Sequence, residues 1–241
     1  MPDRKKERAP LVLLPGLLCD ARLWREQALA LHDEADIQVA DLTLDDSVSA
    51  MAARVLAAAP ERFALGGLSM GGYVAFEILR QAPERVTRLA LFSTSAAPDS
   101  PQRAEQRRRA MAALSVGRFL GVTQQMMPQL LPVSRLNDTL ADPLAGEVKA
   151  MAGRVGGEAF LRQQRAILGR PDSRPGLADI RVPTLVAVGD LDRLTPPAES
   201  QAIHEGIAGS TLHIFAECGH LPAMERPDET TALLRAWLTE T

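Results

Sequence analysis

The sequence predicts an α/β fold: a mostly parallel sheet of about six strands flanked by helices, with a helical lid inserted before the penultimate strand. Three observations carry this expectation. Short apolar runs alternate with helix-compatible stretches, one long helical segment interrupts the alternation, and a glycine-framed serine sits where a strand runs into a helix.

The runs at Leu11–Leu14, Ile37–Ala40, Phe63–Leu65, Leu89–Phe92, Thr184–Val188 and Leu212–Phe215 read as buried strands, most of them ending in Gly, Pro, Asp or Ser. Between them, Ala21–Leu31, Val48–Ala59, Gly71–Gln81 and Pro197–Ile207 suit helices, and a last helix is expected from about Pro227 to Leu238. Parallel strands need such crossovers. The interruption, residues 96–179, is rich in Arg, Gln, Met and Ala, is punctuated by Pro128, Pro132, Pro143 and Pro171, and shows no convincing strand. We therefore expect a core formed by residues 1–95 and 180–241, with 96–179 as a lid.

The chain of 241 residues suits one large domain, and its 46% apolar and 24% charged content is ordinary for a globular protein. A net charge of −3 gives no electrostatic reason to expect a nucleic-acid partner. No apolar run is long enough to cross a bilayer, and MPDRKKERAP lacks the adjoining apolar block of a signal peptide, so no membrane partner and a cytoplasmic location are expected. Cys19 and Cys218 form neither a CxxC pair nor a cluster with histidines; reduced, buried thiols, no structural metal and no cofactor are expected.

Gly67-Leu68-Ser69-Met70-Gly71 matches G-x-S-x-G after a strand and before a helix, the setting in which that motif has mechanical meaning. A serine on so sharp a turn projects its oxygen above the sheet, and Gly66, Gly67, Gly71 and Gly72 leave room for it. The helix that follows aims its amino-terminal amides at the same point, which favours a developing oxyanion.

A serine hydroxyl is a poor nucleophile and needs a positioned base. His32 and His204 fall in helical stretches and His213 within a strand, whereas His220, in Cys218-Gly219-His220-Leu221-Pro222, follows a late strand at the carboxyl edge of the sheet. For serines on a strand-to-helix elbow the chain order is serine, acid, histidine. Asp190 and Asp192 both fit. Asp192 is preferred because it has left the strand and can turn to the imidazole, while Asp190 suits capping of the turn or binding of nearby backbone amides. Two backbone donors are also required for an oxyanion: the Met70 amide, and one from the loop after the first strand, where Leu17 is favoured, Leu18 is next and Pro15 cannot donate.

Together these residues resemble the α/β-hydrolase superfamily, in particular its small lidded carboxylesterase, enol-lactonase and pimeloyl-carrier methyl-esterase members. LLPGLLCDARLW, GLSMGG, ADIRVPTLVAVGDLDRLTPP and CGHLPAMERPDE carry the resemblance across nearly the whole chain. It implies a sheet whose spatial order is shuffled relative to sequence, an active site between core and lid, and a sheet lacking the opening hairpin of larger members. The family often has His-Gly where this chain has Pro15-Gly16, and Ser69 in place of an aspartate argues against the dehalogenase and epoxide-hydrolase branches. The expected reaction is cleavage of a small-molecule carboxylic ester through an acyl-enzyme, with Ser69 as nucleophile, His220 as base and Asp192 as its orienter. The same residues suit a lactone, a thioester, a C–C bond or a lyase reaction, and a ligand-binding receptor of vestigial activity is the alternative from another class. Leu18, Leu194 and Leu221 are candidates for an apolar pocket wall. The Arg103, Arg107, Arg108 and Arg109 run is a candidate for an acidic substrate or a carrier protein, or a solvated face.

Overall fold

The computed structural model describes residues 8–115, 117, 119–136 and 143–239. Residues 1–7 of the charged amino-terminal stretch, and 116, 118 and 137–142 of the expected lid, lie outside the described residues. In chain order the elements are β1 (Ala9–Leu14), α1 (Arg25–Ala30), β2 (Ala35–Val39), α2 (Val48–Ala58), β3 (Phe63–Leu68), α3 (Met70–Gln81) and β4 (Val86–Phe92). A helical insertion follows, with α4 (Pro101–Ser115), α5 (Met127–Leu130), α6 (Val133–Leu136) and α7 (Pro143–Leu168). The core then resumes with β5 (Thr184–Gly189), α8 (Pro197–Gly206), β6 (Thr211–Phe215), α9 (Pro222–Glu225) and α10 (Pro227–Thr239).

The sheet runs β2-β1-β3-β4-β5-β6 with every described pairing parallel. Because the chain starts in the interior of the sheet, moves to one edge with β2 and returns past β1 to β3, crevices open at the carboxyl ends of β1 and β3. Side chains alternate between two cores. In β1, Leu11 and Leu13 face one cluster while Val12 and Leu14 face the other; β4 divides Ala90 and Phe92 from Leu89 and Leu91 in the same way. One face is covered by α1, α9 and α10, the other by α2, α3 and α8. Trp24 is fully buried against Phe92, edge to face at 5.5 Å, and its indole N–H donates to the Leu14 carbonyl at 3.3 Å.

Two local differences from the sequence reading have physical causes. β3 runs on to Leu68, three residues past its expected end, because Gly66-Gly67 reads as a turn by propensity. Here glycine serves close approach: a Cβ at Gly67 would lie 2.6 Å from the Gly71 backbone, and one at Gly71 would lie 2.3 Å from the Leu14 carbonyl oxygen. The stretch expected as one helix, Ala21–Leu31, divides into a 3-10 turn (Ala21–Trp24), capped by the Asp20 carboxylate on the Arg22 amide, and α1. His32 consequently lies in a turn and not in a helix. In the insertion, Pro101 and Pro143 open helices and Pro128 sits in the first turn of α5. α7 is broken at Gly156, whose φ of +80° ends one helical run and starts the next. No helix among the described residues is long and apolar enough to cross a membrane.

Candidate active site

Ser69 is the hinge between β3 and α3, with φ +55° and ψ −112°, a conformation that costs a non-glycine residue about 1–3 kcal/mol. Neighbouring contacts hold it there. Its amide donates to the Phe92 carbonyl at 2.9 Å, and the Thr94 hydroxyl donates to its carbonyl at 2.8 Å. Met70 follows as the first residue of α3, so its amide has no intrahelical acceptor and points out from the helix start.

His220 and Asp192 meet between the loops after β6 and β5, and His220 lines the same cavity as Ser69. His220 Nδ1 lies 2.8 Å from Asp192 Oδ2, with both residues buried. Asp192 also accepts from the amides of Leu194 and Thr195 through Oδ1, at 2.9 and 3.0 Å, and from the Thr195 hydroxyl through Oδ2 at 2.9 Å. Burial opposes its charge. The His220 ring and the Thr195 donors outweigh burial and hold the Asp192 carboxyl below the usual carboxylate range. An ionised carboxylate only accepts, so the Nδ1 facing it carries the proton and Nε2 is left with the free lone pair. Asp190 takes the other role weighed for it, accepting from the Cys218 amide at 3.0 Å and tying the end of β5 to the histidine loop.

The histidine loop is held by three consecutive amides. Gly219 donates to Glu225 Oε2 at 2.9 Å, Leu221 donates to Glu225 Oε1 at 2.8 Å, and His220 itself donates to the Leu130 carbonyl of the insertion at 2.8 Å. Glu225 is buried. Desolvation raises its carboxyl above the ordinary range against the pull of the two amides.

The loop after β1 turns at Gly16, with the Cys19 amide closing on the Gly16 carbonyl at 3.1 Å. Leu18 has φ +59°, and its amide donates to Gln163 Oε1 at 3.1 Å, so it is committed to α7. The Leu17 amide donates to no described protein group, which leaves it, of the two residues considered, as the one able to face an oxyanion with Met70. Gln163 is fully buried and also donates to the Leu42 carbonyl at 3.1 Å.

A cavity of about 220 Å³ lies between the core and the insertion, lined by Ser69, His220 and Leu17 from the core and by residues of α4, α5 and α7. Leu18, Leu194 and Leu221 all line it, as does Met126, while Met127 is packed in the core beneath. Cys19 and Cys218 are free and buried, and burial pushes the Cys19 thiol up to about 12 and the Cys218 thiol higher still. The arginine run divides. Arg103 and Arg107, one turn apart, line the cavity, whereas Arg108 and Arg109 lie on the exposed face near Glu105, at 3.9 and 3.0 Å. Among the described residues no group of three or more His, Cys, Asp or Glu side chains is placed to hold a metal ion.

Several site residues escaped the sequence reading. Thr195 sits three positions after Asp192 and had a local signal, since a threonine there can return its hydroxyl to the carboxylate. Glu225, Gln163 and Leu130 had none, because each acts through a contact that only the folded chain creates.

The arrangement defines a hydrolase fold, with Ser69, Asp192 and His220 in the turns that follow the carboxyl ends of β3, β5 and β6. Residues 39–227 match the family described as alpha/beta hydrolase fold, and the chain belongs to it. It is 30% identical to a pimeloyl-[acyl-carrier protein] methyl ester esterase from Pectobacterium carotovorum, over 92% of this chain and 91% of that one. Among solved structures it resembles a thermophilic esterase from Thermogutta terrifontis, with 31% identity, a TM-score of 0.84, and coverage of 95% of this chain and 89% of that one. It also shares the fold of the enol-lactonase from Burkholderia xenovorans LB400, with 23% identity, a TM-score of 0.82, and coverage of 99% and 94%. Family membership and the two esterase relatives support hydrolase-type activity.

Proposed function

We propose that the protein is a serine hydrolase that cleaves a small-molecule carboxylic ester through an acyl-enzyme. The observation that carries this reading is the buried 2.8 Å contact between His220 Nδ1 and Asp192 Oδ2, in a cavity that also exposes Ser69 on its elbow. His220 Nε2 takes the proton of Ser69 as its Oγ attacks the ester carbonyl, and the imidazolium so formed is stabilised by Asp192. The amides of Met70 and Leu17 donate to the developing oxyanion, where one such donor is typically worth about 3 kcal/mol. Collapse expels the alcohol, which takes its proton from His220; water, deprotonated by the same nitrogen, then cleaves the acyl-enzyme. The Pectobacterium and Thermogutta relatives are both esterases by name, which favours a carboxylic ester as the bond.

Short- to medium-chain p-nitrophenyl esters, with a lactone alongside, test the reading in wild type and in a folded Ser69→Ala variant. Turnover with an initial burst in wild type, reduced at least about 10³-fold in the variant, is expected. Equal turnover in both proteins refutes Ser69 as the nucleophile. No hydrolysis of any ester by wild type refutes the simple-esterase reading.

A further inference from the structure

We infer that the cavity contains an anion subsite built on Arg103 and Arg107, and that the substrate is an ester bearing a second, free carboxylate. The inference rests on the esterase reading above and specifies its substrate class. The cavity wall contains no aspartate or glutamate among the described residues, but it contains two arginines and the amides of Gln106, Gln129 and Gln164. A cavity that binds a neutral ester has no use for that imbalance.

Asp99 explains how the arginines are held and why their charge is not spent. Its buried carboxylate meets Arg107 Nε at 2.6 Å, Arg170 Nη2 at 3.0 Å and Arg103 Nε at 4.0 Å. Three cations on one anion leave two positive charges over. Arg170 is consumed by structure: it donates to the Ile167 and Ala97 carbonyls and lies over the Tyr73 ring at 4.2 Å. Arg107 is fixed between Asp99 and Gln164 Oε1, at 2.6 and 2.9 Å, which sets its direction but not its charge balance. Arg103 is the least committed of the three. Its guanidinium makes no hydrogen bond to a described residue, comes no closer to Asp99 than 4.0 Å, is one-third exposed and lines the cavity. A guanidinium with free N–H groups, next to an already oriented guanidinium, is a bidentate seat for a carboxylate. Since α4 follows β4 directly, this seat belongs to the insertion, while the Ser69 elbow belongs to the core. The ester and the second carboxylate are thus recognised by different parts of the chain, core and insertion.

The test uses two matched pairs. Monomethyl adipate against methyl heptanoate places the carboxylate on the acyl side; 4-acetoxybutyrate against butyl acetate places it on the alcohol side. Wild type is expected to favour the charged member of one pair by about tenfold or more in kcat/KM, the size of one charge-assisted contact. Arg103→Gln should collapse that ratio, mainly through KM, and Arg103→Lys should restore part of it. Binding of the charged esters to Ser69→Ala, followed calorimetrically, should weaken with added salt and with Arg103→Gln. Esters cleaved with no preference for charge in either pair, or a ratio that Arg103→Gln leaves unmoved, overturn the subsite. Salt-sensitive, Arg103-dependent binding without cleavage of any ester upholds the subsite and refutes the esterase reading.

Discussion

Replacing Glu225 with alanine removes the acceptor of two buried amides, those on either side of His220, while every side chain proposed to meet the substrate is kept. Each buried donor left without a partner costs about 1–3 kcal/mol. The pair therefore amounts to about 2–6 kcal/mol, and we expect the lower half of that range, because the two sites share one cavity that water can enter. Glu225→Gln keeps the volume and one oxygen but turns an N–H donor toward one of the amides, for an expected loss of about 1–2 kcal/mol. Urea unfolding followed by tryptophan fluorescence reads the stability change, since both tryptophans, Trp24 and Trp237, are buried. Under conditions where both variants are folded, kcat on an aryl ester is expected to fall about 30-fold or more in Glu225→Ala, with a smaller change in KM, because a displaced imidazole weakens proton transfer more than binding. A Glu225→Ala protein within about 0.5 kcal/mol of wild type, the size of a surface substitution, would show that the loop holds its shape without the carboxylate.

Asp99 and Gln163 give two further predictions. Burial alone would raise the Asp99 carboxyl, but Arg107 and Arg170 hold it below the ordinary range, so its stabilising contribution is present above about pH 4 and lost as pH falls through the depressed value. Asp99→Asn should therefore lower stability by about 3 kcal/mol at pH 7, with the gap from wild type closing in acid; unfolding curves from pH 7 to pH 3 that stay equally far apart refute the assignment. Gln163→Leu removes the acceptor of the Leu18 amide and the donor to Leu42, and is expected to cost about 2 kcal/mol and about tenfold in kcat by loosening the loop that carries the Leu17 amide. Unchanged kcat in a measurably destabilised protein would separate that loop from the oxyanion site.

The sheet was legible because its inner strands β1, β3, β4 and β5 are largely buried on both faces and so carry apolar runs, while the half-exposed edge strands β2 and β6 keep shorter ones, and each helix between them is short and bounded. Propensity failed at Gly66-Gly67, where the packing of α3 against β1 and β3 outweighs the poor fit of glycine to a strand. The positions of Ser69, Asp192 and His220 were legible because each stands at a strand end with turn-forming neighbours. Their supports were not. Leu18 and Gln163 are 145 residues apart, and Asp99 and Arg170 are 71 apart, and no local pattern links such partners. Composition likewise shows a run of arginines in 103–109 but not that Asp99 draws two of them inward while Glu105 keeps the others at the surface.

The contact from the His220 amide to the Leu130 carbonyl bears on how far this architecture is modular. An insertion that merely roofed the cavity could be exchanged for that of another family member to alter specificity, with the chemistry left intact beneath. Here residue 130 supplies part of the foundation of the histidine loop, so a transplanted roof must present a backbone carbonyl at the same point or leave that loop without its tie at His220. Replacement confined to α4, with the chain around Leu130 retained, changes the cavity wall without that penalty, and it marks the seam along which the protein is best re-engineered.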